Sequence, residues 1–135
     1  MLSVIRFSAF VTGDALNSCG AEVNAVMPGL FTGPDRVANR FSCTISEASD
    51  WRAQCDSIQS AISALSLIAR NAVANGVQIE LDIAVDPEDY SDRLLTEFPL
   101  EEQLLRAVLE NSIGFRLSLY GGHRGGHGEW RQDNA

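Results

Sequence analysis

The sequence predicts an α+β fold, a two-layer sandwich in which a four-stranded mixed sheet carries helices on one face. Two observations predict it. Four segments alternate apolar and polar residues with the period of a strand, and three segments between them repeat apolar residues with the period of a helix. The connections are short and no internal repeat occurs, so the expected element order along the chain is βαβαβαβ.

In the first half of the chain, the spacing of apolar residues changes from that of a strand to that of a helix and back again. Residues Val4 to Thr12 alternate and predict a strand, whereas Asp14 to Pro28 has helical spacing that begins at a capping residue. The segment from Pro28 to Asp35 is dense in turn residues and predicts a loop. A second strand is expected between about Val37 and Ile45, where it should pair with the first.

A long amphipathic helix is the clearest element of the sequence. It runs from Trp51 to about Asn75 and is capped by Ser49 or Asp50. A two-stranded coiled coil would use the same spacing, but Cys and Ala at the seam positions favour a helix packed on a domain core. Trp51 lies on the apolar stripe, where a structural anchor is a simpler interpretation than a ligand platform.

The third strand, Val77–Val85, alternates strictly and places carboxylates on its second face. That face is expected to be open to water or to a partner unless a charged pair satisfies it. A helix is then expected from about Pro99 to Asn111, with Leu105 and Leu109 widening its apolar stripe.

The end of the chain contains one more strand and a tail. After a turn at Ile113–Gly114, alternation predicts a fourth strand from Phe115 to Tyr120. Residues 121–135 are rich in glycine and show no apolar periodicity, which predicts a flexible tail. We therefore expect a single α+β domain over residues 1–120, a size that supports one hydrophobic core.

Charge is concentrated in one segment. The chain of 135 residues carries a net charge of −8, and all its basic residues are arginines. Between Glu80 and Glu102 there are nine acidic residues against Arg93 alone, which accounts for the whole net charge. This distribution argues against nucleic acid as a partner and favours a basic one. The alternative is a solvated face that only keeps the protein in solution.

Residues for catalysis or metal binding are sparse. His123 and His127 lie in the tail, so no ordered histidine base is expected and no catalytic residue is assigned. The acidic segment lacks the spacing of an EF-hand loop, and we expect neither a metal nor a cofactor. No phosphate-binding motif occurs, so a phosphate site would have to use Arg36 or Arg40 alone.

Cysteine usage and hydropathy indicate a compartment. Cys19, Cys43 and Cys55 have no metal-ligand spacing and are expected to be buried free thiols in a reducing environment. No apolar run is long enough to cross a bilayer, and the N-terminal segment does not have the pattern of a signal peptide. We therefore expect a cytoplasmic protein with no membrane partner.

Four stretches carry a resemblance to a known kind of protein. They are IRFSAFVTGDAL near the N-terminus, Ser49-Asp50-Trp51 at the start of the long helix, ELDIAV in the third strand, and FPLEEQLLRAVLENSIGFRLSLYG near the end. Over residues 4–120 the chain resembles a bacterial domain-of-unknown-function family, similar to the small immunity partners of polymorphic and contact-dependent toxins. The resemblance implies protein–protein binding without catalysis.

The sequence thus predicts an immunity protein that binds a cognate bacterial toxin domain, expected to be a basic nuclease, through an acidic surface. The candidate partner-binding residues are Glu80, Asp82, Asp86, Glu88, Asp89, Tyr90 and Asp92. The alternative is a small-molecule binding or regulatory domain without catalysis, in which the Pro28 to Pro34 loop covers a pocket at the sheet edge.

Overall fold

The computed structural model describes residues 1–9, 14–27, 39–86 and 97–119. Its elements follow one another in the order βαβαβαβ, as predicted. They are β1 (Leu2–Ser8), α1 (Asp14–Val26), β2 (Arg40–Ser46), α2 (Trp51–Ala74), β3 (Gln78–Val85), α3 (Glu102–Glu110) and β4 (Ile113–Leu119).

The strands form one open, mixed sheet in the order β2-β1-β3-β4. Strand β1 pairs antiparallel with both β2 and β3, which confirms the expected pairing of the first two strands. Strand β4 is parallel to β3 and lies at an edge. The predicted fold class, a four-stranded mixed sheet with helices, is therefore confirmed.

All three helices pack their apolar stripes against the same face of the sheet. The inward positions of the two central strands, such as Ile5 and Leu81, are fully buried because strand alternation sends every second side chain to that face. Phe7 of β1 stacks on Phe41 of β2 with ring centroids 4.7 Å apart. The helices complete the core with Leu16, Cys19, Val23, Cys55, Ile58, Ile62, Leu65, Ala69, Ala72, Leu104 and Val108.

A buried glutamine closes the core where α2 begins. Gln54 is fully buried, and its amide nitrogen donates hydrogen bonds to the carbonyl oxygens of Met1 (3.1 Å) and Ala48 (2.6 Å). Its side-chain oxygen accepts a hydrogen bond from the buried Ser3 hydroxyl. Because buried polar groups need such partners, Gln54 links the start of β1 and the end of β2 to the first turn of α2.

Asp50 caps the same helix, since its carboxylate accepts a hydrogen bond from the Ala53 backbone amide at 3.0 Å.

The segment before α3 differs from the prediction. Pro99 does not open the helix, which begins at Glu102 with Glu101 as its cap. The carbonyl of Pro99 instead accepts a 2.9 Å hydrogen bond from the Trp51 indole, and the Trp51 ring packs edge-to-face on Phe98 at 5.2 Å. Trp51 is thus an anchor that fastens this segment to the start of α2.

The apolar stripe of α3 is narrower than predicted. Leu104 and Val108 are buried, but Leu105 and Leu109 are exposed. The helix has only nine residues and packs on α2 and β4 along one side. Leu105 and Leu109, which directly follow the buried Leu104 and Val108 in sequence, therefore face solvent.

Several boundaries also move. Ile113 and Gly114 belong to β4 and do not form a turn, because Ser112 with a φ of 54° makes the turn directly after α3. Strand β1 covers Leu2–Ser8 and stops before the predicted end at Thr12. The predicted Pro28 to Asp35 loop and the predicted tail, residues 121–135, lie outside the described residues.

We expect Leu65→Ala to lower the free energy of unfolding by about 2–5 kcal/mol, because it removes buried methyl groups and leaves a cavity in the core. Leu65 is 1% exposed, whereas Leu67 on the same helix is 70% exposed and gives a matched control. Urea denaturation of both variants measures the difference. Equal losses in Leu65→Ala and Leu67→Ala would contradict the packing of α2.

Candidate functional site: the open sheet face and its two ends

The face of the sheet opposite the helices carries a network of charged side chains. The register of β1 and β3 places Arg6 directly opposite Glu80, and the Arg6 guanidinium donates to the Glu80 carboxylate at 3.0 Å. Its second terminal nitrogen lies 3.6 Å from a carboxylate oxygen of Asp82. From β4, Arg116 reaches Glu80 at 3.3 Å, and the Ser118 hydroxyl donates to Asp82 at 2.7 Å.

The predicted binding residues therefore separate into three groups. Glu80 and Asp82 lie on the open face, where arginines pair with them and reduce the acidic character of that surface. Asp86 directly follows the last residue of β3, at one end of the sheet. The others, Glu88, Asp89, Tyr90 and Asp92, lie outside the described residues.

Several acidic residues lie at or next to the element ends where β3 and β4 finish and α2 and α3 begin, a part of the fold that we call the acidic end. Trp51 brings the segment before α3 against the start of α2, so acids from separate parts of the chain become neighbours. Burial raises the pKa of the nearby Cys55 thiol, and the negative charges of Glu101, Asp56 and Asp50 raise it further. The arginines near these positions are Arg52 at the start of α2 and Arg106, which pairs with Glu102. The carboxylates of the acidic end outnumber them and are Glu47, Asp50, Asp56, Asp86, Glu97, Glu101 and Glu102.

An apolar surface adjoins the acidic end. Seven large hydrophobic side chains are exposed among the described residues, and only Val26 and Leu67 lie elsewhere. The other five lie on α3, just before it, or on the edge strand β4, which packs against α3. We call them the leucine edge: Leu100, Leu105, Leu109, Leu117 and Leu119.

The opposite end of the sheet has a different character. Here an open cavity of about 510 Å³ is lined by Arg6, Arg40 and Arg116, with Glu80 as the carboxylate among its lining residues. Sequence reasoning missed this grouping, since these arginines are widely separated along the chain. The available signal was weak: Arg6 and Arg116 occupy outward positions of alternating strands.

The thiols are poor candidates for nucleophiles. Cys19, Cys43 and Cys55 are free and buried, as predicted. Burial, with a contribution from Glu22, raises the pKa of Cys19 to about 12, and burial raises the pKa of Cys43 to about 11. A thiol with a raised pKa holds its proton near neutral pH and is unreactive.

Within the described ranges, no group of three or more potential metal-ligating side chains comes together. No helix there is both long and apolar enough to cross a membrane. His123 and His127 lie outside those ranges.

Comparison with known proteins gives no relative to reason from. No protein-family model, no curated protein and no solved structure matches the chain.

We expect Arg6→Met to lower the free energy of unfolding by about 1–2 kcal/mol, because it removes the cation that Glu80 and Asp82 share and leaves Glu80 with Arg116. The effect is moderate because Arg6 is 27% exposed, while Asp82 is 12% exposed. A double variant with Asp82→Asn should lose less than the sum of the single variants, as measured by urea denaturation.

Arg106→Met is the matched control, since Arg106 pairs with Glu102 and both side chains are exposed. Its loss should stay under about 0.5 kcal/mol. If Arg6→Met cost no more than this control, the network across the open face would contribute nothing to the fold.

Proposed function

We propose that this protein is an immunity protein that binds a basic toxin domain through the leucine edge and the adjoining acidic end. The observation that carries the proposal is the concentration of exposed leucines on α3 and β4. Exposed apolar patches rimmed by polar residues are typical of protein-interaction sites. A catalytic role has no comparable support among the described residues.

The edge strand adds a second reason to place a partner there. Strand β4 lies at the edge of the sheet, and within the described residues no strand pairs with its outer side. Such an edge offers backbone N–H and C=O groups to an incoming chain. Leu117 and Leu119 of β4 would supply apolar contacts beside those backbone bonds.

The charge of the acidic end supports a basic partner. Glu97 and Glu101 are exposed and flank Leu100, so carboxylates border the apolar contact on one side. Complementary charge at the rim of an interface speeds association and excludes partners of the wrong sign. Acidic groups also imitate the phosphates that a basic nuclease binds, which agrees with the resemblance to toxin immunity partners.

The direct test uses the product of the adjacent reading frame as the candidate toxin, with growth on co-expression and binding of the purified proteins as measurements. Leu109→Ser should weaken binding about tenfold or more, because the change removes the most exposed apolar side chain of the leucine edge from the contact with the partner. Leu109 is 76% exposed, so the variant should keep its stability.

Leu67→Ser is the matched control, because Leu67 is equally exposed on α2, away from the leucine edge. Neutralising Glu97 and Glu101 to Gln should slow association severalfold at low salt and much less at high salt. The corresponding change of Asp14 and Glu22 on α1 should have little effect. Equal binding by all four variants would contradict the proposed interface.

A further inference from the structure

We propose that the arginine-lined cavity at the end of the sheet opposite the acidic end binds a small organic phosphate. None of the five leucines of the leucine edge lines this cavity, and the proposal does not depend on the toxin partner.

The cavity collects its arginines from three strands. Arg6 comes from β1, Arg40 from the first residue of β2 and Arg116 from β4. Because Ser8 pairs with both Arg40 and Gln78, the cavity lies where β1 ends and β2 and β3 begin. The lining thus holds three guanidinium groups and one carboxylate, that of Glu80, while Asp82 lies beside the cavity at 3.6 Å from Arg6. Guanidinium groups gathered in this way favour an anion as the ligand.

The position of Glu80 shows that the guanidinium groups of Arg6 and Arg116 converge. One of its oxygens accepts from Arg6 at 3.0 Å, and the other lies 3.3 Å from Arg116. Two arginines that hold one carboxylate between them have the geometry that also suits a phosphate oxygen. Arg116 is 59% exposed, so it retains donors for a ligand beside Glu80.

The cavity is large enough to hold an organic group in addition to a phosphate. Its volume of about 510 Å³ falls in the range of about 300–1,000 Å³ that is usual for small-molecule sites. Gly114 leaves space at the wall, since only the Ile79 carbonyl oxygen lies within 4 Å of where its side chain would begin. Val73, at the end of α2, adds an apolar surface for the organic part of the ligand.

The test is titration of the full-length protein by calorimetry with phenyl phosphate, inorganic phosphate and sulfate at constant ionic strength. Phenyl phosphate should bind most tightly, because it supplies both the dianion and an apolar body. Arg116→Gln and Arg40→Gln should each weaken its binding by about fivefold to tenfold, the loss expected for one charge-assisted contact near the surface.

Glu80→Gln should do the opposite and strengthen binding severalfold, because it removes the carboxylate that competes for Arg6 and Arg116. A purely structural role of Glu80 predicts no such gain. Arg106→Gln, on the exposed side of α3, is the control for general loss of positive charge and should leave binding unchanged. Thermal unfolding of each variant confirms that it is folded.

Two results would overturn the proposal. One is that sulfate and phenyl phosphate bind equally tightly and that Arg106→Gln and Arg116→Gln weaken this binding equally. Such a result indicates that any anion is attracted non-specifically to the positive charges of the protein. The other is no measurable binding of phenyl phosphate by either the natural protein or Glu80→Gln.

Discussion

The pairing of Arg6 with Glu80 and Asp82 determines which surfaces of this protein are available for binding. The register that buries Ile5 of β1 beside Leu81 of β3 also sets Arg6 opposite Glu80 on the other face. Strand alternation makes these two facts inseparable, because a one-residue slip would bury the charges and expose the core. The ion pairs and the hydrophobic core therefore stabilise the same register.

This constraint divides the acidic segment into two parts. Carboxylates within β3 are balanced by arginines from β1 and β4, so the open face is mixed in charge. Asp86 follows β3 at the end of the sheet where α2 and α3 begin, and the acids at those two starts, Asp50 and Glu102, interact favourably with the helix N-termini. The protein thus has an acidic end beside exposed leucines and an arginine-lined cavity at the opposite end, and we assign the two ends to different ligands.

The sequence predicted most of the fold, because its signals were local. Period-two alternation identified all four strands, and the capping residue Asp50 marked the start of α2. The sequence did not predict the role of Gln54, because its hydrogen-bond partners, the carbonyl oxygens of Met1 and Ala48, lie outside the helix that carries it. The predicted start of α3 was wrong because proline is common as the first residue of a helix. Here Pro99 lies before the helix, and its carbonyl oxygen accepts a hydrogen bond from the Trp51 indole.

The candidate sites were harder to predict, since they depend on contacts between distant residues. Arg6 and Glu80 are 74 positions apart, and only the strand register joins them. The sequence offers Arg40 as a phosphate ligand only by itself, because the position of Arg6 and Arg116 around the same cavity follows from the sheet order β2-β1-β3-β4. The exposure of Leu105 and Leu109 likewise depends on how narrowly α3 packs.

Hydrogen exchange of the protein, alone and with the product of the adjacent reading frame, shows which surface the partner covers. We expect the partner to slow exchange in α3 and β4 and to leave β2, at the far edge of the sheet, unchanged. Slower exchange confined to β1 and β2, with α3 and β4 unaffected, would contradict it, because the partner would then occupy a surface other than the leucine edge.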